Sequence, residues 1–292
     1  MAGVEGRVVA VTGAGGGIGR EHALLFAERG AKVVVNDLGG ARDGTGAGTS
    51  MADSVVAEIT DAGGEAVANY DGVASSEGGH AIIGTALEAF GRVDVVVNNA
   101  GILRDVTFHK MADEQWDAVL QVHLYGTYYV TRAAWPHLRE QGHGRVVVTT
   151  STSGLYGNFG QTNYGAAKLG VVGLVNTLAL EGKKYGITAN AITPVAATRM
   201  TEDLMPEEAL EQLNPGFVAP LAVHLAADEC ETTGEVILAS GGNYARIHYV
   251  QAPGATFDKL PTPEDLAARW DEIMDLADAF SGPGNWRSAQ PR

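Results

Sequence analysis

The chain is 292 residues long, 45% hydrophobic and 19% charged, with a single cysteine, Cys230. This is globular composition, enough for one large α/β domain plus an appendage, and one thiol excludes an intrachain disulfide. A formal net charge of −15 argues against non-specific binding to nucleic acid or to an anionic membrane, since both are polyanions.

No apolar stretch approaches the roughly 20 residues of a membrane span, so no membrane insertion is expected. The opening Met-Ala-Gly-Val-Glu-Gly-Arg7 lacks the charged and apolar regions of a signal peptide. The closing Ser-Ala-Gln-Pro-Arg292 is not a peroxisomal tripeptide. Cys230 reads as a small residue near a helix end, and the cytoplasm is the expected location.

In chain order, short β-branched runs alternate with longer helical patterns. Strands are expected at Arg7–Val11, Lys32–Asn36, Glu65–Asn69, Val93–Asn98, Arg145–Thr150, Thr188–Ile192 and Glu235–Ala239. Helices are expected near Gly17–Arg29, Met51–Ala62, Glu77–Phe90, Asp113–Glu140, Thr162–Tyr185 and Pro215–Ala227. Val93-Asp-Val-Val-Val97 is nearly unbroken in apolar character, as a strand covered on both faces should be. Seven strands with helices between them predict an α/β fold, a doubly wound seven-stranded parallel sheet in a single domain. That domain is expected over residues 1–247, with an extension over 248–292 that packs on the core or on a neighbouring subunit.

Two segments depart from this rhythm. Gly39–Ser50 is a polar, glycine-rich connection of unusual length, either a surface excursion or a flap beside a nucleotide. The tail carries one amphipathic stretch, Pro263–Phe280. Apolar faces over Trp116–Trp135 and Val171–Leu180 fit helix-mediated homodimers or homotetramers, or simply core.

The string Thr12-Gly-Ala-Gly-Gly-Gly-Ile-Gly19 follows the first strand and opens the first helix. Gly13, Gly17 and Gly19 let the backbone turn tightly and let a pyrophosphate approach helix N–H groups. This is a Rossmann-type signature in its required strand–turn–helix context. Asp37 ends the second strand, where a carboxylate accepts both ribose hydroxyls of NAD and repels the 2′-phosphate of NADP. Arg42 points the other way, but it lies in the loop without a second basic partner. Asp71 either accepts from the adenine amino group or serves as a helix N-cap or turn residue. Asn98-Asn-Ala-Gly101 ends the fourth strand at the same sheet edge.

Tyr164 and Lys168 are one helical turn apart on one face. A free phenol has a pKa of about 10, and a neighbouring ammonium stabilises its phenolate. Ser151 stands thirteen positions before Tyr164, at the mouth of a strand, where its hydroxyl can bond a carbonyl oxygen while Tyr164 handles the proton. The three together predict interconversion of a secondary alcohol and a ketone. No metal is expected among the site residues.

Thr12-Gly-x-x-x-Gly-x-Gly19, Asn98-Asn-Ala-Gly101, Ser151 and Tyr164-x-x-x-Lys168 together resemble the short-chain dehydrogenase/reductase family across almost the whole core. A finer resemblance is to the (3R)-hydroxyacyl-CoA dehydrogenase domains of multifunctional enzymes of peroxisomal β-oxidation, also known as 17β-hydroxysteroid dehydrogenases. It rests on Asn36-Asp-Leu-Gly-Gly40, Ala68-Asn-Tyr-Asp71, the run Asn98 to Asp105, Val130-Thr-Arg-Ala-Ala-Trp135 and Tyr156-Gly-Asn-Phe-Gly-Gln161. The hydratase and sterol-carrier parts of those enzymes are absent, which implies a dehydrogenase standing alone.

The resemblance implies NAD lying along Gly13, Gly15, Gly17, Ile18 and Gly19, then by Asp37, Asp71, Gly72 and Val73. It continues along Asn99, Ala100 and Gly101 to Tyr164, Lys168, Pro194 and Thr198. Ser151, Tyr164 and Lys168 are the implied catalytic residues, with Lys168 contacting the nicotinamide ribose. Two departures from the wider family stand out: Pro194-Val195 in place of Pro-Gly, and His123 where Asn is usual. His123 is expected to join the catalytic residues as part of a proton relay behind Lys168, the alternative being a buried, merely hydrogen-bonded histidine.

The expected substrate is a (3R)-3-hydroxyacyl-CoA or its 3-oxoacyl partner, held at its anionic handle by Arg104, Lys110, Arg199 or Arg246. A hydroxysteroid or other lipophilic alcohol is the next expectation. A 3-oxoacyl-carrier-protein reductase fits less well, because biosynthetic reduction draws on NADPH and Asp37 disfavours it. A non-catalytic dinucleotide-sensing module has no need of Ser151, Tyr164 and Lys168 together.

Overall fold

The computed structural model describes residues 3–196 and 213–281. Valine-rich strands form the centre: β1 (Val8–Thr12), β2 (Lys32–Asn36), β3 (Glu65–Asn69), β4 (Val95–Asn98), β5 (Gly144–Thr149), β6 (Ile187–Val195) and β7 (Val236–Ser240). Their spatial order is β3-β2-β1-β4-β5-β6-β7, and the paired strands run parallel throughout. The chain leaves β1 toward one edge and returns to β4 on the other side. That reversal opens a crevice at the carboxyl ends of β1 and β4, where ligands bind in sheets of this kind.

An eighth strand, β8 (Asn243–Ile247), extends the edge beyond the seven expected. It is joined to β7 by Gly241 and Gly242, both at positive φ (52° and 81°), the backbone of a tight hairpin. Most of β8 is exposed, so it lacks the apolar run that marks the other strands.

Helices cover both faces. On one side lie α1 (Gly17–Glu28), α2 (Ser50–Asp61) and the helix Ala219–Ala226, closing a core around Val9, Val11, Phe26, Val33, Ile59 and Leu225. On the other, α3 (Ser76–Phe90) packs against α5 (Gly126–Gln141), and α7 (Thr162–Gly182) packs on β6. The helix expected over Asp113–Glu140 is interrupted: α4 (Asp113–Leu120) meets α5 through a π-helical turn, Gln121–Tyr125. Such a turn shifts the face that later residues present, and periodicity alone does not reveal it.

The described residues fall into two compact units, Met1–Arg246 and Ile247–Arg292. The second carries the short helices Pro263–Ala268 and Trp270–Met274 and a two-stranded pairing of Val250–Gln251 with Phe280–Ser281. Its first helix starts at a capping box in which Thr262 and Asp265 satisfy each other's backbone N–H groups. No helix among the described residues is long and apolar enough to cross a membrane.

Candidate active site

Gly13 has φ 63° and Gly17 φ 52°, so the chain turns sharply between β1 and α1. A Cβ on Gly13 would come 2.7 Å from Ala100 Cα, and one on Gly19 would run into the Gly13 carbonyl. The turn is therefore held flat against the end of β4. Helix α1 has no capping side chain and no acid in its first turn, which leaves its N-terminal dipole available to an anion.

Side chains brace this crevice. The Thr12 hydroxyl accepts from the backbone N–H of Asn99 (3.0 Å) and of Ala100 (3.1 Å). The Asn99 amide donates to the carbonyls of Thr12 (3.1 Å) and Gly13 (3.2 Å), while Asn98 donates to Thr131 on α5 at 2.9 Å. Asp37 ends β2 with its carboxylate accepting from Gly15 N–H at 2.8 Å and Gly39 N–H at 2.7 Å. Each oxygen keeps a lone pair for a further donor.

Asp71 is exposed after β3, and its carboxylate accepts from Asn69 at 2.8 Å. It does not cap α3, because Ser75 does so by accepting from Gly78 N–H. Val73 is buried against Gly126, and Gln121 of the π turn donates to the Ala74 carbonyl at 2.8 Å. Gly72 and Val73 lie between β3 and α3, and Ile18 packs on the core. Pro194, near the end of β6, pairs with Ala239. Thr198 and Arg199 lie outside the described residues.

Past β5, Ser151 caps the short helix α6 (Thr152–Tyr156), accepting from Ser153 N–H at 3.2 Å. Desolvation pushes the Tyr164 phenol pKa up, the Ser151 hydroxyl pulls it down, and the charge of Asp105 adds to the upward push; the net shift is upward. Lys168 is buried one turn along α7, its ammonium 5.6 Å from the Tyr164 ring centroid and donating to the Thr149 carbonyl at 2.6 Å. Burial pulls its pKa from the ordinary value down to about 7.

His123 lies edge-on to Tyr164, ring centroids 5.0 Å apart at 88°. Its Nε2 sits 2.8 Å from the Ile102 carbonyl and 3.1 Å from the Ile102 N–H, and it has no bond to Lys168 among the described residues. Burial first, and then the Lys168 charge, lower its basicity well below the ordinary value.

Asn163 helps to hold this arrangement and was not singled out by the sequence. Asn163 is fully buried at the start of α7, donating to the carbonyls of Arg104 (3.1 Å) and Gln115 (3.2 Å) and accepting from Tyr164 N–H (2.8 Å). Gln161 donates to Asp105 at 2.6 Å, and Val106 N–H donates to the Gly160 carbonyl at 2.9 Å. The loops after β4 and before α7 are thereby joined, with Phe108, Tyr156 and Phe159 exposed on them.

The loop after β2 is folded rather than extended. Gly48 N–H donates to Leu38, Ala41 N–H to Thr45, and the loop meets the β4 side through Leu103 N–H to Arg42 (3.1 Å) and the Arg104 guanidinium to Asp43 (3.0 Å). A cavity of about 390 Å³ lies between them, lined by Ala41, Arg42, Asp43, Thr45, Leu103 and Asp105.

The profile of the short chain dehydrogenase family matches residues 7–209. The chain belongs to that family. It is 65% identical over 279 residues to a short-chain type dehydrogenase/reductase of Mycobacterium tuberculosis, covering 96% of this chain and 98% of the relative. It is 52% identical over 278 residues to the peroxisomal multifunctional enzyme type 2 of Mus musculus, covering 94% of this chain but 37% of that longer enzyme. The crystal structure of a short chain dehydrogenase from Mycobacterium avium superposes with a TM-score of 0.82 at 45% identity, over 93% of this chain and 95% of that one. As a short-chain dehydrogenase, the protein is an oxidoreductase with the family's α/β fold.

Two of the four cations expected to receive an anionic handle are engaged elsewhere. Arg104 donates to the backbone of Asp43 and Glu114, and Arg246 forms a forked pair with Glu235 (2.6 and 2.8 Å). Lys110 remains exposed in the 3-10 turn Phe108–Lys110.

Proposed function

We propose that this short-chain dehydrogenase uses NAD to interconvert a secondary alcohol and a ketone, with (3R)-3-hydroxyacyl-CoA and 3-oxoacyl-CoA as the physiological pair. The observation that carries the reaction class is the convergence of Ser151, Tyr164 and Lys168 beside the glycine turn. The acyl-CoA assignment draws on the likeness to the peroxisomal multifunctional enzyme.

NAD fits the residues present. The glycines of the Gly13–Gly19 turn let its backbone pack closely against Ala100 and the start of α1, the uncapped N-terminus of α1 favours a pyrophosphate, and Asp37 would accept from ribose hydroxyls. NAD supplies the acceptor for the hydride leaving the carbinol carbon. The chain's own residues manage the hydroxyl proton. Ser151 hydrogen-bonds the substrate oxygen and holds it against Tyr164, whose phenolate takes the proton as the carbonyl forms. Lys168, fixed by the Thr149 carbonyl, places a cation beside that phenolate and lowers the cost of forming it. In the reverse direction the phenol returns the proton to the alkoxide.

The test is NAD reduction with both enantiomers of a 3-hydroxyacyl-CoA, run beside a steroid alcohol. Oxidation of the 3R form with little activity on 3S is expected. A preference for 3S, or turnover of steroid alcohols alone, would defeat the substrate assignment and leave the dehydrogenase reading intact.

A further inference from the structure

A glycine and a histidine from different elements interlock beside the phenol. Gly101 follows β4 and His123 sits in the π turn between α4 and α5. A Cβ on Gly101 would be driven into His123 Cε1, with Nδ1 at 3.2 Å and Nε2 at 3.3 Å, so no side chain fits there while the imidazole is present. On its other side the ring meets Tyr164 edge-on at 5.0 Å. Its Nε2 is engaged with the Ile102 peptide, and the Thr127 hydroxyl donates to the His123 carbonyl at 2.7 Å. Only 2% of the residue is exposed, and Nδ1 has no partner among the described residues.

We propose that His123 is a positioning residue that wedges the end of β4 against Tyr164, seated in the space that Gly101 leaves by having no Cβ. The proposal rests on the dehydrogenase reading of Ser151, Tyr164 and Lys168. The ring is buried and held at Nε2 by the Ile102 peptide. What it supplies is shape: its Cε1 and Nε2 edge fixes where Gly101 and Ile102 run, and the perpendicular contact fixes the phenol's direction. The π turn makes this possible by rotating residue 123 into the crevice.

The two positions should therefore be coupled, and a cycle of single and double variants measures that coupling. Gly101→Ala is expected to lower kcat by about tenfold or more, the scale of an overpacked site. His123→Asn, with a smaller side chain that keeps a hydrogen-bond donor, is expected to lose about threefold to fivefold in kcat with KM for NAD little changed. The double variant should recover to within about threefold of His123→Asn, because the new methyl fills the vacated space. The same cycle is read in thermal midpoints, with the double variant above Gly101→Ala, so a poorly active single variant still reports. Independent, multiplicative losses in the double variant would overturn the interlock. A loss of about a thousandfold in kcat for His123→Asn would overturn the positioning role in favour of proton transfer. Absence of alcohol oxidation in the parent would refute the dehydrogenase reading, while the thermal cycle would still decide the interlock.

Discussion

The Lys168 ammonium donates to the Thr149 carbonyl at 2.6 Å, two residues before Ser151. One hydrogen bond thereby fastens the helix carrying Tyr164 to the strand end carrying the serine. It also keeps a cation in a place where water does not stabilise it, which is why its pKa falls to about 7. If one ammonium serves both phenolate and ribose, as proposed, Lys168→Met should lower kcat by about a hundredfold or more and weaken NAD binding. Its thermal midpoint should equal or exceed the parent's, since removing a poorly solvated charge relieves strain on the fold. A large drop in midpoint alongside the lost activity would mean the lysine is primarily structural.

Tyr164→Phe keeps the ring that packs on His123 and removes only the hydroxyl. NAD affinity, followed by fluorescence titration, should stay near the parent value while kcat falls by about a hundredfold. Near-normal turnover would show that the proton leaves by another route.

Asp37 accepts from Gly15 and Gly39 in the free protein. The ratio of kcat/KM values should favour NAD over NADP. Asp37→Ala should narrow that ratio by about tenfold, equivalent to about 1.4 kcal/mol. It should also loosen the Gly39–Ser50 loop, which hydrogen exchange at Gly39 would register. Parity of the two cofactors in the parent would refute the role of this carboxylate.

With Arg104 and Arg246 engaged, Lys110 is the exposed cation on the loop after β4. Lys110→Glu should raise KM for a 3-hydroxyacyl-CoA by about threefold to tenfold, more so at low salt, with kcat preserved. A lipophilic alcohol without a phosphate handle should show no such change. Equal effects on both substrates would place the lysine outside the handle's reach.

His22 is fully buried on α1 with neither ring nitrogen bonded among the described residues, and burial lowers its pKa from 6.5 to about 4. The folded state therefore refuses a proton that the unfolded chain accepts. Above pH 6.5 both states are neutral at this position and no stability is lost. As pH falls from 6.5 toward 4 the unfolded state gains the proton first, and up to about 3 kcal/mol of stability is lost. His22→Leu should flatten this part of the curve, so denaturant midpoints at pH 5 should rise relative to the parent while those at pH 8 change little. Parallel curves for the two proteins would show that His22 is not the group responsible.

The elements and the core of the site were legible because they depend on local rules. Glycines at 13, 17 and 19 are demanded by a backbone turn, alternating apolar runs by a sheet covered on two faces, and Tyr164 with Lys168 by the pitch of one helix. β8 was not legible, because an exposed edge strand buries too little to be written in apolar residues. Nor was the break in the Asp113–Glu140 helix, since a π turn leaves the composition unchanged and alters only which face each later residue presents.

By itself, then, the sequence determined the order of the main elements, the glycine turn after β1 and the spacing of Ser151, Tyr164 and Lys168, all written within single segments. Only the tertiary structure decided what spans segments. It put His123 against both Gly101 and Tyr164, tied Asn163 to Arg104, folded the Gly39–Ser50 loop onto Leu103, and withdrew Arg104 and Arg246 from the expected rim. Those relationships join residues far apart along the chain. Each is set by packing geometry and by the need of buried polar groups for partners, and neither can be read from one segment alone.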